Sequence, residues 1–594
     1  MSYRRKKLLA LFFAMALSMT AVAGCTGIKS STGNVVSSET ETNAEETSAQ
    51  SEAGTFSSAD MFTERDLAGT YEESGAVYVT LSDDGIAGET DGVVIDGQMV
   101  TITAEGTYIF SGTLSEGQIV VDADNAKVQI VFDNVDITCA SSAAVYVKSA
   151  EKVFVTLAEG SQNTLRNTDE YVAIDDNNID AVIFAKSDLT LNGTGSLTII
   201  SAEGHGIVSK DDLKIIGGTY DITAAGHALS GKDSVRIADG TFILTAEKDG
   251  IHAENADDEE KGYIYIADGD FTITSDGDGM DASNIVQIED GTLDITAGGG
   301  SANSLKTHES DVPGGPGGGM PQNGEKLDGE SMPQMGEKPD GENMPQDTTT
   351  DESGTSTKGI KAGGGMYLNG GTYQIDSADD SIHSNANITI ADGTYTLATG
   401  DDGVHADDAL IVNGGTITVT ESYEGLEGLA VTINDGTIDI TASDDGINTA
   451  GEKMELNGGY IHILAGGDGV DSNGDLTING GEIYIDGPSD NGNSAIDYGD
   501  RSSAYVNGGM LVAIGSSGMA EGMSDSSKQE VLMVKLGEQM EAGNVVLTDS
   551  EGNVIVSYTA LKTYDCVIIS TAEVESGATY TLTTSGTTTE VTAE

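Results

Sequence analysis

The stretch "DDGVHADDALIVNGGTITVT", residues 401–420, holds close to one full period of a repeat, and its reading decides the fold. An acidic pair and Gly403 open it. Val404, Leu410 and Val412 follow as alternating apolar positions, Gly414 and Gly415 turn the chain, and Ile417 and Val419 resume the alternation. Apolar residues at every second position mark strands with one face inward and one outward. Glycine at the turn supplies backbone angles that a β-carbon forbids.

The opening motif recurs as "HGIVS" at Gly206, "DGIHA" at Gly250, "DGMDA" at Gly279, "KGIKA" at Gly359, "EGLEG" at Gly425, "DGINT" at Gly446 and "DGVDS" at Gly469. "HALSG" with Ala228 and "DSIHS" with Ser381 fill two gaps, and most steps are 21–23 residues. Three short strands and three bends in about 22 residues are the arithmetic of a right-handed parallel β-helix, whose coils stack at about 4.8 Å. A helical solenoid is excluded by the lack of any 3.6-residue period. A β-propeller is excluded because its blades need about 40 residues. The chain is thus expected to be all-β, with a parallel β-helix and N-terminal cap over residues 61–520 and a small β module over 521–594.

Residues 300–357 interrupt the period with "MPQNGEKLDGES", "MPQMGEKPDGEN" and "MPQ", starting at Met320, Met332 and Met344. Proline, glycine and charge without core formers predict a disordered loop extruded from one bend. At the other end, Arg4, Arg5, Lys6 and Lys7 precede an apolar run closing on "VAGC". That pattern resembles a bacterial lipoprotein signal over residues 1–25 with Cys25 acylated, which implies an exported, extracellular protein held at the cell membrane only through its lipid. Residues 26–60, rich in Ser, Thr, Glu and Ala, are expected to form a disordered tether. Cys139 and Cys566 are expected to be free thiols.

The net charge of −71, from 27 basic and 98 acidic residues, excludes nucleic acid as a partner and suits a protein that gathers cations. In a solenoid, equivalent positions stack. The position before the motif glycine holds Asp249, Asp278, Lys358, Asp380, Asp402, Glu424, Asp445 and Asp468. Two residues after the glycine come His252, Asp281, Lys361, His383, His405, Glu427, Asn448 and Asp471, and Asp379, Asp401 and Asp444 precede many coils. Like charges so close must hold protons or recruit cations. Hard oxygen ligands beside glycine and backbone carbonyls suit calcium, with Asp249, Asp278, Asp281, Asp380, Asp401, Asp402, Asp444, Asp445, Asp468 and Asp471 as candidate ligands. Two other readings stay open: solvated turns capped by their own aspartates, and zinc on His252, His383 and His405.

Together these features resemble the carbohydrate-binding-domain lipoproteins of Gram-positive anaerobes, β-helices akin to pectate lyases. The shared features are "SAAVYVKSAEKVFVTLAEGSQNTL", the acidic-glycine coils, "KGIKA" after a Gly/Pro-rich insert and the C-terminal β module. The resemblance implies a non-catalytic, calcium-containing binder of polygalacturonate or cellulose, with His252, His383, His405, Lys358 and Lys361 as candidate carbohydrate contacts. Calcium would have to bridge polyuronate to so acidic a chain. Cellulose would need tyrosine platforms, because tryptophan is absent and Tyr220, Tyr373 and Tyr395 fall on core positions. Two further readings remain: a calcium-dependent lyase using Lys358 or Lys361 as base, and a surface adhesin or spacer with structural calcium.

Overall fold

The computed structural model describes residues 55–306, 356–451, 453–499 and 501–593. The repeat folds as the sequence predicts, into a parallel β-helix with three strands in each coil. One coil runs through His205–Ser209, Asp212–Ile215 and Thr219–Ala224. The next places Leu229, Val235 and Phe242 in register above Ile207, Leu213 and Tyr220. Repetition of this step builds three parallel ladders that end at Ile496–Tyr498, Ala504–Val506 and Met510–Gly515.

Each ladder carries one inward apolar column. Ile251, Met280, Ile360, Ile382 and Val404 stack in the first, all wholly buried. In the third, Tyr220, Phe242 and Phe271 stack face to face with centroids 5.2 and 4.7 Å apart, and Tyr373 lies 4.5 Å from Tyr395. Burial of these tyrosines leaves their hydroxyls in need of acceptors. Tyr220 donates to Gly217 O at 2.9 Å and Tyr395 to Asp392 O at 2.8 Å, both within the adjoining turn.

Two kinds of glycine do different work. In the turn, Gly415 has φ +90° and Gly459 φ +83°, the left-handed region that the sequence requires there. The motif glycine is needed for space. A β-carbon on Gly446 would lie 2.2 Å from Ile463 Cγ2 and 2.5 Å from Gly469 O. The chain therefore packs its first-ladder strand directly on the third ladder and on the next coil.

Four expected boundaries shift. Residues 55–60 do not belong to a disordered tether, because chain from Phe56 onward straps the outside of the second ladder. The Phe56 ring lies 4.3 Å from that of Tyr263, and its amide and carbonyl pair with the Gln287 side chain at 2.6 and 3.0 Å. Asp66, wholly buried, caps the short helix Glu64–Leu67 through Thr63 and pairs with Lys152 at 2.5 Å. The insertion is likewise shorter than expected: residues 300–306 and 356–357 are packed against the coils, and its methionines lie outside the described residues. Parallel coils stop at Gly515, not at residue 520. There Tyr564–Ser570 pairs antiparallel with Met510–Gly515 and closes the open edge, while four further strands form a second sheet. Cys139 and Cys566 are buried and free, as expected, whereas Cys25 lies outside the described residues. No helix among the described residues is long and apolar enough to cross a membrane.

Removing Asp66 leaves Lys152 with a desolvated, unpaired charge. Asp66→Ala should therefore cost about 3 kcal/mol or more, read as a lower thermal midpoint together with faster amide exchange across residues 55–72.

Candidate functional site

The acidic motif residues do stack at the bend between the third and first ladders, and backbone chemistry explains half of their design. Asp249 Oδ1 accepts the amide of Asp278 at 3.0 Å, and Asp278 Oδ1 accepts that of Lys358 at 2.7 Å. Asp380, Asp402 and Asp445 accept the amides of Asp402, Glu424 and Asp468 at 3.2, 3.3 and 2.6 Å. Histidine serves the same purpose at the start of the row: His205 Nδ1 accepts the amide of His227 at 2.8 Å, and His227 Nδ1 that of Asp249 at 3.2 Å. Except at Lys358 and Glu424, one acceptor per coil thus stitches each bend to the next. The second carboxylate oxygen is left for other partners, and those partners divide the row into zones.

In the first zone imidazoles stack. His227 lies 4.8 Å from His205 and 4.1 Å from His252, with rings nearly parallel. Burial, then the neighbouring His227, lowers the His205 pKa to about 3. At His252 burial works in the same direction, but Asp249 at 3.0 Å and Asp281 at 3.4 Å prevail and lift it to about 10.

In the second zone lysines occupy the row. Lys361 lies 3.5 Å from Asp278 and 3.3 Å from Asp281. Lys358 reaches Asp379 at 2.9 Å and Asp380 at 2.6 Å. Lys306, at the start of the insertion, reaches Asp379 at 2.7 Å and also contacts Asp401. Burial opposes the charge on these amines, yet the surrounding aspartates raise the pKa of all three. A proton-abstracting base needs a neutral amine near the working pH. Lys358 and Lys361 are held protonated, which opposes the role the lyase resemblance suggests for them.

The third zone mixes both signs: His383 Nδ1 is 2.8 Å from Asp380, and His405 Nδ1 lies between Asp402 at 3.1 Å and Glu427 at 3.2 Å. The three histidines considered for zinc are not gathered. His383 and His405 are neighbours, but Asp281 and Lys361 separate His252 from His383. Three rungs amount to about 14 Å.

The last zone gathers carboxylates with no lysine, arginine or histidine among them in the described residues. Ligand oxygens of Asp445, Asp468 and Asp471 lie within 4.8 Å of one another. Asp444 and Asp497 adjoin them, and raise their pKa values alongside burial. Burial, then Asp444 and Asp468, puts Asp445 at about 8. Burial with Asp497 and Asp471 puts Asp468 at about 7, and burial with Asp497 puts Asp471 at about 6. No ion pair joins any of these five to a cationic side chain among the described residues. Gly467 makes the cluster possible, since a β-carbon there would lie 2.2 Å from Asp444 Oδ1 and 2.4 Å from Asp445 Oδ1. A donor set of bare carboxylates around a cradle that a side chain would fill fits calcium. By the same test Asp380 and Asp401 fit it less well, because Lys306 and Lys358 already supply positive charge there. Lys306 escaped sequence reasoning because the insertion breaks its register. His205 and His227 were legible in the motif column as "HGIVS" and "HALSG" but carried no acidic signal.

A family model of carbohydrate-binding domain-containing proteins matches residues 96–403 and 401–527, and the chain belongs to that family. A relative from Acetivibrio thermocellus, described as a carbohydrate-binding domain-containing protein, is 40% identical over 139 residues, which is 23% of this chain and 49% of that protein. The chain thus matches about half the length of this relative. A solved structure described as a polysaccharide lyase-like protein from C. thermocellum, in a gadolinium derivative, is 36% identical. It covers 38% of this chain and 92% of its own, with a TM-score of 0.37.

The raised carboxylates set a pH dependence. A group whose folded pKa exceeds its unfolded value of about 4 stabilises the fold below that value and loses the contribution as pH climbs through the folded pKa. In chelator the thermal midpoint should therefore fall as pH rises from about 5 to 9, and saturating calcium should flatten that slope.

Proposed function

We propose that this chain is a surface polysaccharide binder that holds acidic polysaccharide, such as polygalacturonate, through calcium carried by Asp445, Asp468 and Asp471, with Asp444 and Asp497 beside them. The observation that carries the reading is the five-carboxylate cluster left without a cationic partner among the described residues. Calcium bound there supplies charge that both the protein's carboxylates and a uronate can share. The chain's own residues do the rest: Asp445 and Asp468 are fixed by the amides they accept, and Gly467 keeps the cradle open. The lysine zone, already neutralised internally, serves as a rigid part of the same bend. Membership of a carbohydrate-binding family supports the ligand class. The basic and apolar segment before Cys25 supports export and lipid anchoring outside the cell.

The test is retention of the full chain on polygalacturonate with calcium and with chelator, alongside calcium titration. Asp468→Asn with Asp471→Asn should weaken calcium binding tenfold or more and abolish retention, with no absorbance from unsaturated products in the unsubstituted protein. Retention that survives chelator would sink the calcium reading, and rising absorbance would make the chain a lyase.

A further inference from the structure

In the third zone of the bend, one histidine sits at the centre of three carboxylates. His405 Nδ1 lies 3.1 Å from Asp402 Oδ2 and 3.2 Å from Glu427 Oε2, and one donor atom from each of these residues falls within 4.8 Å of the others. The far nitrogen, Nε2, faces Asp407 Oδ1 at 3.5 Å. Asp402 is fixed by the coil, because its Oδ1 accepts the Glu424 amide while Oδ2 turns to the histidine. Glu427 occupies the rung next to His405 in the same ladder. No lysine or arginine pairs with Asp402 or Glu427 among the described residues.

A proton on Nδ1 meets only part of this demand. The ring's hydrogen bond goes to Asp402, so the Glu427 oxygen gains no hydrogen from it. The same constellation recurs at His252, where Asp249 and Asp281 face Nδ1 and Glu254 faces Nε2. There the charge is already met. Lys361 pairs with Asp281 at 3.3 Å, and His227 stacks face to face on the ring and shares Asp249. His383 differs too, because Lys358 takes its Asp380. Of these three histidines, His405 is the one whose two carboxylates meet no second cation among the described residues.

We infer that Asp402, His405 and Glu427 form a site for a transition-metal ion of the zinc class, separate from the carboxylates of the last zone. Donor atoms about 3.3 Å apart are what a tetrahedral ion with bonds of about 2.0 Å requires, close to both contacts of His405 Nδ1. One imidazole nitrogen with two carboxylate oxygens favours such an ion, whereas calcium asks for six or more oxygens. Asp407 supplies the partner that a metal-bound imidazole uses on its far nitrogen, fixing the tautomer that leaves Nδ1 free. The two carboxylates balance a divalent charge. The side chains of His405 and Glu427 are each 18% exposed, so a fourth position opens toward solvent, where water or a ligand oxygen completes the shell. Glu427 stands two rungs from Asp471, about 10 Å, so the site can fill whatever the last zone holds.

The experiment titrates zinc into the full chain in saturating calcium, by competition with a chromophoric chelator, and repeats the titration with cobalt(II). One zinc per chain should bind in a component that excess calcium does not displace. Cobalt(II) there should give the strong visible bands of a tetrahedral ion. His405→Gln should weaken that component about a hundredfold and abolish the bands, and Asp407→Asn should weaken it about tenfold. Asp468→Asn with Asp471→Asn should leave it unchanged. Asp407 is 48% exposed, so its variant folds even where His405→Gln does not, and a cooperative thermal transition verifies each. Absence of the component, or its survival unweakened in His405→Gln, overturns the site. Weakening by His252→Gln in place of His405→Gln moves the metal to the first zone and overturns it equally.

Discussion

Everything in this molecule depends on coils stacking in register at the spacing of neighbouring β-strands, about 4.8 Å. That distance suits apolar side chains, which form unbroken columns such as Ile251–Met280–Ile360. It also suits amides, which find an acceptor one coil away. It is hostile to charge, because any ionised residue in the motif column meets another at the next rung. The column answers in four ways: by an imidazole held neutral at His205, by lysines at Lys358 and Lys361 with Lys306 reaching in from the insertion, by His383 and His405 set between carboxylates, and, among the described residues, by no cation at all from Asp444 onward. The last answer keeps its carboxylates at raised pKa values.

Neutralisation by lysine and by metal are physically different solutions. An ammonium on a flexible stem satisfies two carboxylates and stays with the chain, so the Lys306–Asp379–Lys358 network holds both ends of the insertion against the coils. A metal can leave, so under the calcium reading proposed above the stability of the last zone would depend on solution conditions. Fixed cations thus stand mid-helix, and the bare carboxylates stand near its end.

The fold was legible because its signal repeats. Period-two alternation, the turn glycines and a step of 21–23 residues agree in coil after coil, so one ambiguous coil costs little. The positions of Asp249 through Asp471 on one edge followed from the same arithmetic. Their partners did not. That Asp379 and Asp401 face an ammonium depends on Lys306, which lies 73 residues before Asp379 in the chain. The use of one oxygen of each aspartate by the next amide was also hidden, since alternation places a side chain on a face but not its atoms. The start of the strap, residues 56–60, looked like the polar chain before it because the partners of Phe56 are Tyr263 and Gln287, far along the sequence.

That strap has a mechanical consequence. It enters the body on the flank, beside Gln287, and runs back toward the first coils before the helix begins. Tension applied upstream of residue 55 would therefore load the solenoid from its side and not along its axis. The Phe56–Tyr263 and Phe56–Gln287 contacts would bear it first, and would yield one at a time as the strap peels toward Asp66. The coils themselves, whose hydrogen bonds run along the axis, would be spared until the strap had gone.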